Sequence, residues 1–365
     1  TVYIDGKITN TIPAKDSGYT LDTEKSSCTN GTTMTWDNST WSASINLTNY
    51  QAGNMSRTKC TMYFIKDPTA ADFIKDLVET SEELVYDETS DNNLRYIGAD
   101  PNNYVLFNDE LWRIIGVMNN IDDGTGTKET RLKINRDEPI GWYSWDNKAS
   151  DTGSSTSIFG SNDWSDSALQ IVLNSGAYWN RTSGACPYDS NGATITCDFS
   201  NNGLTDVAKS MMDDAVWNLG GLSSNSNDLN YYGTAITSTY YIFERSTIVF
   251  EGRPTTWTGK IGLMYPSDYG YATSGGSVCL SYSLSKWNDY STCYMNNWLY
   301  TDSYQWILTP HSSSSSDVFR LSSNIFVADN HVYYASNVSP TTYLKSSIKI
   351  IGGTGSSSDP FELSL

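Results

Sequence analysis

The sequence predicts an α+β protein in which a small all-β module precedes a larger mixed domain. Three observations carry this. Strand-like alternation fills YVLFNDELWRIIGVM and TRLKIN, helical spacing follows near residues 164–174 and 205–219, and long loops then lead into a closing run of short strands. Six cysteines fall as three local pairs, each bracketing one segment. Aromatic residues make up 13% of the chain, with 25 Tyr and 12 Trp, and can build a core although hydrophobic residues reach only 38%.

A length of 365 residues suits two or three domains. The formal charge is −18 with 23 Lys+Arg, so the basic face that phosphate neutralisation requires is missing and a general nucleic-acid binder is excluded. No apolar run approaches the ~18 residues that span a membrane, so no membrane-spanning segment is expected. The chain opens at Thr1 with neither an initiator Met nor a signal-peptide pattern, which leaves open an export segment or anchor beyond it. An even number of cysteines in a Ser/Thr/Asn/Tyr-rich chain favours an oxidising, extracellular setting. Of the connectivities that six cysteines allow, we expect nearest-neighbour pairing: Cys28 with Cys60, Cys186 with Cys197, Cys279 with Cys293. Free buried thiols are the alternative.

Residues 1–65 read as a separate module. VYIDGKI offers alternation around an Asp5-Gly6 turn, and TMTWDNSTWSASI and KCTMYFI are rich in Thr, Trp and Ile. A small immunoglobulin-like sandwich, acting as a spacer or stalk, fits these features. Residues 66–91 read as a helical linker, with Asp67 as the cap ahead of Pro68 and with Ala70, Phe73, Ile74, Leu77 and Val78 at helical spacing. The acidic residues after them (Glu79, Glu82, Glu83, Asp87, Glu88) read as a solvated face. Residues 92–365 form the main domain. Its first two strands flank an Asn108-Asp109 turn. Ser165 is the candidate cap of the first helix. Thr205 caps the second, whose stripe Ala208, Met211, Met212, Ala215, Val216 and Leu219 is closed by Gly220. IKIIGGTGSSSDPFEL reads as a last strand and a Gly/Ser-rich tail.

The stretch from Tyr304 to Lys345 differs from the rest. Trp306, Leu308, Val318, Leu321, Val327, Val332, Val338, Tyr343 and Leu344 form an apolar frame, and Ser, Asn, Asp, His and Tyr fill the spaces between. Period-two burial would turn the frame inward and leave the small polar residues and tyrosines on one outer surface. Such a mixture suits adaptable recognition, because Tyr supplies contact area at low entropy cost and Ser or Asn supplies hydrogen bonds. An ordinary polar surface on a β domain is the plainer reading.

Three segments, NNLRYIGADPNNYVLFNDELWRIIGV, GRPTTWTGKIGLMYPSDYGYA and YQWILTP, resemble a widespread group of bacterial secreted proteins, and the element order resembles the C-type lectin fold. The likeness covers roughly residues 92–365, and the N-terminal module also resembles one found with that group. It implies a C-type lectin-like fold preceded by a small all-β module, with LWRIIGV pairing near TTYLKSSIKI and a long loop region carrying the ligand site. The group ends in Val-Arg-Pro before YLKS. Here Val338-Ser339-Pro340 stands in that place, so any role of the Arg in fixing the last loop is lost. The C-terminal stretch resembles the variable region of diversity-generating retroelement target proteins, whose rewritten positions sit on a fixed lectin-fold frame. That likeness implies ligand-binding roles for Ser313, Ser315, Asp317, Phe319, Arg320, Ser322, Phe326, Asp329, His331, Tyr333, Tyr334, Ser336 and Asn337, with Ile325 among the variable positions. Both histidines, His311 and His331, fall within it.

Other chemistry is weaker in the sequence. Trp287-Asn288-Asp289 resembles the calcium motif of sugar-binding C-type lectins, but the partner Glu-Pro-Asn or Gln-Pro-Asp element is missing, so no cofactor is expected and calcium stays an alternative. Carboxylates at Asp122-Asp123, Asp213-Asp214, Asp268 and Asp289 could serve a glycoside hydrolase if two met in a cleft, with Asp213 and Asp214 placed on the outer face of the second helix. Cys279 and Cys293 could imitate the two cysteines of formylglycine-generating enzymes. Asn-x-Ser/Thr sequons, as at Asn30, Asn38, Asn46, Asn54 and Asn180, are frequent by composition alone. The expectation is therefore a secreted or cell-surface adhesin- or receptor-type protein, not an enzyme. It would bind a protein or glycan on another cell or phage through its C-terminal stretch and loop residues near Asp289–Tyr304. Tyr333, Tyr334, Phe326 and Phe319 would be its anchors. The alternative is a carbohydrate-active or sulfatase-modifying-like enzyme on the same fold.

Overall fold

A computed structural model of the chain describes residues 1–15, 17–47, 57–148, 159–323 and 326–365. Ile325 and the Asn54 sequon lie outside them. The chain divides into two compact units, Thr1–Pro68 and Thr69–Leu365. Strands and helices are mixed in several sheets, as an α+β protein requires, and all three disulfides join nearest neighbours, Cys28–Cys60, Cys186–Cys197 and Cys279–Cys293. Each bridge restricts the unfolded chain and contributes roughly 2–4 kcal/mol. Cys279 and Cys293 are bonded to each other and buried. No helix among the described residues is long and apolar enough to cross a membrane.

The first unit is all β. Val2–Ile4 runs parallel to Cys60–Lys66, which also pairs with Tyr19–Leu21 and Ser27–Cys28, and Lys7–Ile8 completes a five-stranded sheet. Asp5 and Gly6 both take positive φ in the expected turn. Val2, Leu21, Met62 and Phe64 form its core, with Trp36 and Trp41 from the hairpin Thr33–Asp37/Ser42–Asn46 packed against them.

Between the units the sequence reading needs correction. The helix forms over Ala70–Leu77, and its cap is Thr69, whose hydroxyl accepts from Asp72 N while the Asp72 carboxylate accepts from Thr69 N. This reciprocal pair outcompetes Asp67. The helix is no linker: Ala70, Ala71 and Ile74 are buried in the core of the second unit. Nor is the acidic run simply solvated, because Asp87 is buried against Arg95.

The second unit is built on a nine-stranded sheet. Its main path runs Ile261–Gly262, Thr341–Tyr343, Lys128–Arg136, Glu110–Asp122, Tyr104–Phe107, Phe361–Ser364, Lys349–Gly352. The Asn108-Asp109 turn is as expected, both residues having positive φ near 60° (59° and 61°). At Gly116 a Cβ would lie 2.1 Å from the Leu94 carbonyl oxygen, so only glycine lets Leu94–Tyr96 pair there. LWRIIGV does not pair with TTYLKSSIKI; Lys128–Arg136 lies between them. The supposed tail returns as the strand Phe361–Ser364, parallel to Tyr104–Phe107. The first helix splits into a 3₁₀ turn capped by Asp163 and a helix Ala168–Asn174 capped by Ser167, not Ser165. Thr205 does cap the second helix, but that helix stops at Met211. Ala215–Asn218 instead pairs with Thr256–Gly259, so Asp213 and Asp214 are loop residues.

A buried ionic cluster ties this unit together. Arg95 sits between Asp87 (3.0 Å) and Asp268 (2.5 Å), and Lys133 Nζ lies 2.5 Å from the other Asp268 oxygen. Asp268 also accepts from Tyr265 N at the start of the helix Pro266–Tyr271. One carboxylate therefore joins two strands of the large sheet to a helix. Burial alone would push the Asp268 carboxyl up; Lys133 and Arg95 more than reverse this and hold it down to about 2. At the Lys133 ammonium burial outweighs the pull of Asp268 and lowers the pKa to about 8.

Asp268→Asn leaves Arg95 and Lys133 without their shared counter-ion, and we expect a loss of roughly 3–5 kcal/mol in denaturant unfolding. Because the folded-state pKa of Asp268 lies below the unfolded value of 3.8, its stabilisation is complete above that pH and fades as pH falls toward about 2. The stability gap between wild type and variant should shrink over that window; a constant gap would contradict the assignment.

Candidate recognition surface

The C-terminal stretch folds into a second sheet of five strands, in the order Trp142–Ser144, Ala335–Asn337, Gln305–Pro310, Asp317–Leu321, Val327–His331. Its middle strand is buried at all six residues, not at alternate ones. Trp306 explains part of this: its indole N–H donates to the Tyr143 carbonyl, and its ring lies 6.3 Å from that of Trp145. The Ser312–Ser316 loop is held through its serine hydroxyls, Ser312 Oγ accepting from Asn230 and Ser313 Oγ from Ser223, and through its main chain. Asn162 donates to the carbonyls of His311, Ser314 and Asp317, and Arg253 donates to that of Ser315. The Val332–Tyr334 turn is fixed likewise, by Trp145 N to the Val332 carbonyl and Ser144 Oγ to the Tyr333 carbonyl. Backbone bonds of this kind place a loop without specifying its outward side chains.

Several expected residues do gather. His331 stacks on Tyr333 with centroids 5.7 Å apart, and Tyr333 meets Tyr334 at 4.4 Å. The hydrogen bond with Tyr334, aided by burial, pushes the Tyr333 phenol up to about 12. His331 Nδ1 lies 2.5 Å from Asp317 Oδ1, and the other Asp317 oxygen accepts from Ser314 Oγ. Tyr334 is 44% exposed. Beside it opens a cleft of about 620 Å³ lined by Trp142, Tyr188, Asp189, Tyr304, Arg320, Asn330, Tyr334 and Ala335. Arg320 lies over the Tyr304 ring at 3.9 Å, and its Nη1 donates to Ser336 Oγ.

Other expected residues do not belong to this face. Phe319 is fully buried, its ring packed against Tyr232, Tyr240 and His311, so it is core and not an anchor. The alternation fails there because the sheet is covered on that side too. Ser322 and Ser336 are buried; Ser336 acts by holding Arg320. Ser313 turns toward Ser223 and Ser224, and Ser315 supports the loop through its carbonyl. Asp329 is half-buried beside His311 and Tyr232. Asn337 donates to Ser303 Oγ and pairs with Trp142 in the ladder. Phe326 is partly exposed.

Five lining residues were not among the expected ones: Trp142, Tyr188, Asp189, Asn330 and Ala335. Trp142 carried a signal, since it alternates outward while Tyr143 is buried. So did Tyr188-Asp189, which sits next to Cys186 where Asp189, Asn191 and Gly192 all take positive φ in a tight turn.

The remaining candidate chemistry is dispersed. Asp122 and Asp123 accept from the amides of their own loop, Gly124 to Thr127. Asp214 pairs with Lys260 at 3.2 Å. Trp287 of the calcium-like triplet is buried against Tyr269, while Asn288 and Asp289 are exposed. No group of three or more His, Cys, Asp or Glu able to hold a metal ion occurs among the described residues. A smaller cleft of about 270 Å³ reaches Lys133, Arg245 and Asp268, but both of its deep cations are already met by protein carboxylates, Lys133 by Asp268 and Arg245 by Glu244.

His311 sits behind the face, buried, with Ser313 N donating to its Nδ1. Burial holds its pKa below the usual 6.5, against the pull of Asp329 and Asp317. The unfolded chain therefore takes up this proton first, and stability should fall as pH drops through about 6.5. Urea unfolding between pH 7.5 and 5 should show a steeper loss for wild type than for His311→Gln; parallel slopes would contradict a neutral buried ring.

Compared with family models, curated proteins and solved structures, the chain finds no match in any of the three.

Proposed function

We propose that this chain is an extracellular ligand-binding protein of adhesin or receptor type, and that it acts by binding rather than by catalysis. The recognition face is the outer side of the five-stranded sheet, and its partner is a protein or glycan on another cell or phage. The observation that carries this reading is the cleft of about 620 Å³, where Trp142, Tyr188, Tyr304 and Tyr334 meet Arg320, Asn330 and Asp189 over a buried frame. Exposed aromatic rings with adaptable polar neighbours are the usual make-up of recognition surfaces. The disulfides fit an oxidising, extracellular setting.

A C-type lectin-like scaffold with retroelement-driven variation is part of the same proposal. It is supported by the carbonyls through which both variable-looking loops are held, those of Ser314 and Ser315 in one and of Tyr333 in the other. A near-identical repeat differing at adenines should lie close to the coding region; a locus without one would remove this element and leave the binding face.

Trp142→Ala and Tyr334→Ala should each weaken binding to target cells by about tenfold or more, as anchor residues do. Both are more than 40% exposed (43% and 44%), so melting temperature should hardly change. Unchanged cell binding in a folded double variant would refute the assignment of this face.

A further inference from the structure

We propose that the groove takes a glycan bearing a carboxylate, and that Arg320 is the seat of that carboxylate. This rests on the binding face argued above and narrows its ligand class.

The argument starts from charge. A partly buried cation is normally matched by a carboxylate, because desolvating it unpaired is costly. In this acidic chain the match is easily made: Arg95, Arg113, Arg131, Arg136 and Arg245 each pair with Asp or Glu. Arg181 and Arg253 each donate twice to carbonyl or amide oxygens. Arg320 is half-buried and, among the described residues, donates one hydrogen bond, to the neutral hydroxyl of Ser336. Its Nε and Nη2 make no hydrogen bond among the described residues. Burial lowers its pKa, with no carboxylate opposing the effect. The planar guanidinium is held against Tyr304 at 3.9 Å, so its free edge is already oriented. A ligand carboxylate would meet that edge with two parallel N–H bonds.

Geometry selects the rest of the ligand. Trp142, Ala335, Arg320 and Asn330 come from four strands of one sheet, so the groove runs across the strands over their side chains. The sheet's two edge strands are Trp142–Ser144 and Val327–His331, and a groove that crosses the strands runs along neither edge, where an extended peptide would join. Recognition must come from side chains. The exposed rings of Trp142, Tyr188 and Tyr334 offer flat apolar faces to the C–H surfaces of sugars. Asn330 and Asp189 add planar groups that suit vicinal hydroxyls.

The test is a glycan array containing sialylated, uronate, sulfated and neutral oligosaccharides, probed with the full chain and with Arg320→Gln and Arg320→Lys. Carboxylated glycans should bind, and reducing their carboxyl groups or introducing Arg320→Gln should weaken binding about tenfold or more with an unchanged melt. Arg320→Lys should recover part of the loss. Equal binding of neutral or carboxyl-reduced sugars, a preference for sulfate, an indifferent Arg320→Gln, or capture of acidic peptides with no glycan bound would each overturn the inference. If target-cell binding still depends on Trp142 and Tyr334 in those cases, the face stands and only its ligand class is wrong; if that dependence is also lost, both fall.

Discussion

Six consecutive buried residues, Gln305–Pro310, set the conditions under which the rest of the C-terminal half can exist. A strand covered on both faces must spend its polar main chain on neighbours, and this one pairs with Asp317–Leu321 and Ala335–Asn337 and donates from Leu308 N to the Met264 carbonyl. Trp306 extends the constraint sideways by bonding the Tyr143 carbonyl, which fixes the strand that carries Trp142. With the skeleton settled by burial and main-chain bonding, the side chains that leave the sheet on its open side have few structural duties. That separation of duties is what allows a surface to be chemically diverse without endangering the fold.

The two halves of the charge distribution make sense on the same terms. Asp268 lies deep in the unit and is surrounded by its own cations, so the cluster is complete and structural. Its partners come from strands and a helix distant in sequence, and removing any member leaves a buried charge exposed to its neighbours' fields. Arg320 is the opposite case. It lies at the open sheet face, is fixed by an aromatic ring and a serine, and lacks an acidic partner among the described residues. One carboxylate finishes a core; one guanidinium leaves an interaction to be completed from outside.

Much of this was legible in the chain. The Asn108-Asp109 turn, the Thr205 cap, the Asp5-Gly6 turn and the three local disulfides follow from short-range chemistry, and each appears where expected. What was not legible depends on distant partners. Ala215 to Leu219 continue a helical stripe, yet pairing with Thr256–Gly259 draws Ala215–Asn218 into a strand. Asp67-Pro68 is a fair helix start, but Thr69 with Asp72 is a better one. Phe319 has the composition of a displayed residue, and only the arrival of Tyr232 and Tyr240 makes it core. The groove was half visible: Arg320 and Tyr334 lie in the variable-looking stretch, whereas Trp142, Tyr188 and Asp189 are brought to it by the sheet and by the Cys186–Cys197 hairpin.

The central claim is that the outward side chains of this sheet are free to change while its buried frame is not. A displayed library randomised singly at Trp142, Asn330, Tyr333 and Tyr334, and at Trp306, Leu308, Val318 and Phe319, can be sorted for protease resistance and sequenced. The account predicts that most substitutions survive at the first four positions and that most are lost at the second four. Equal depletion in both sets would contradict it.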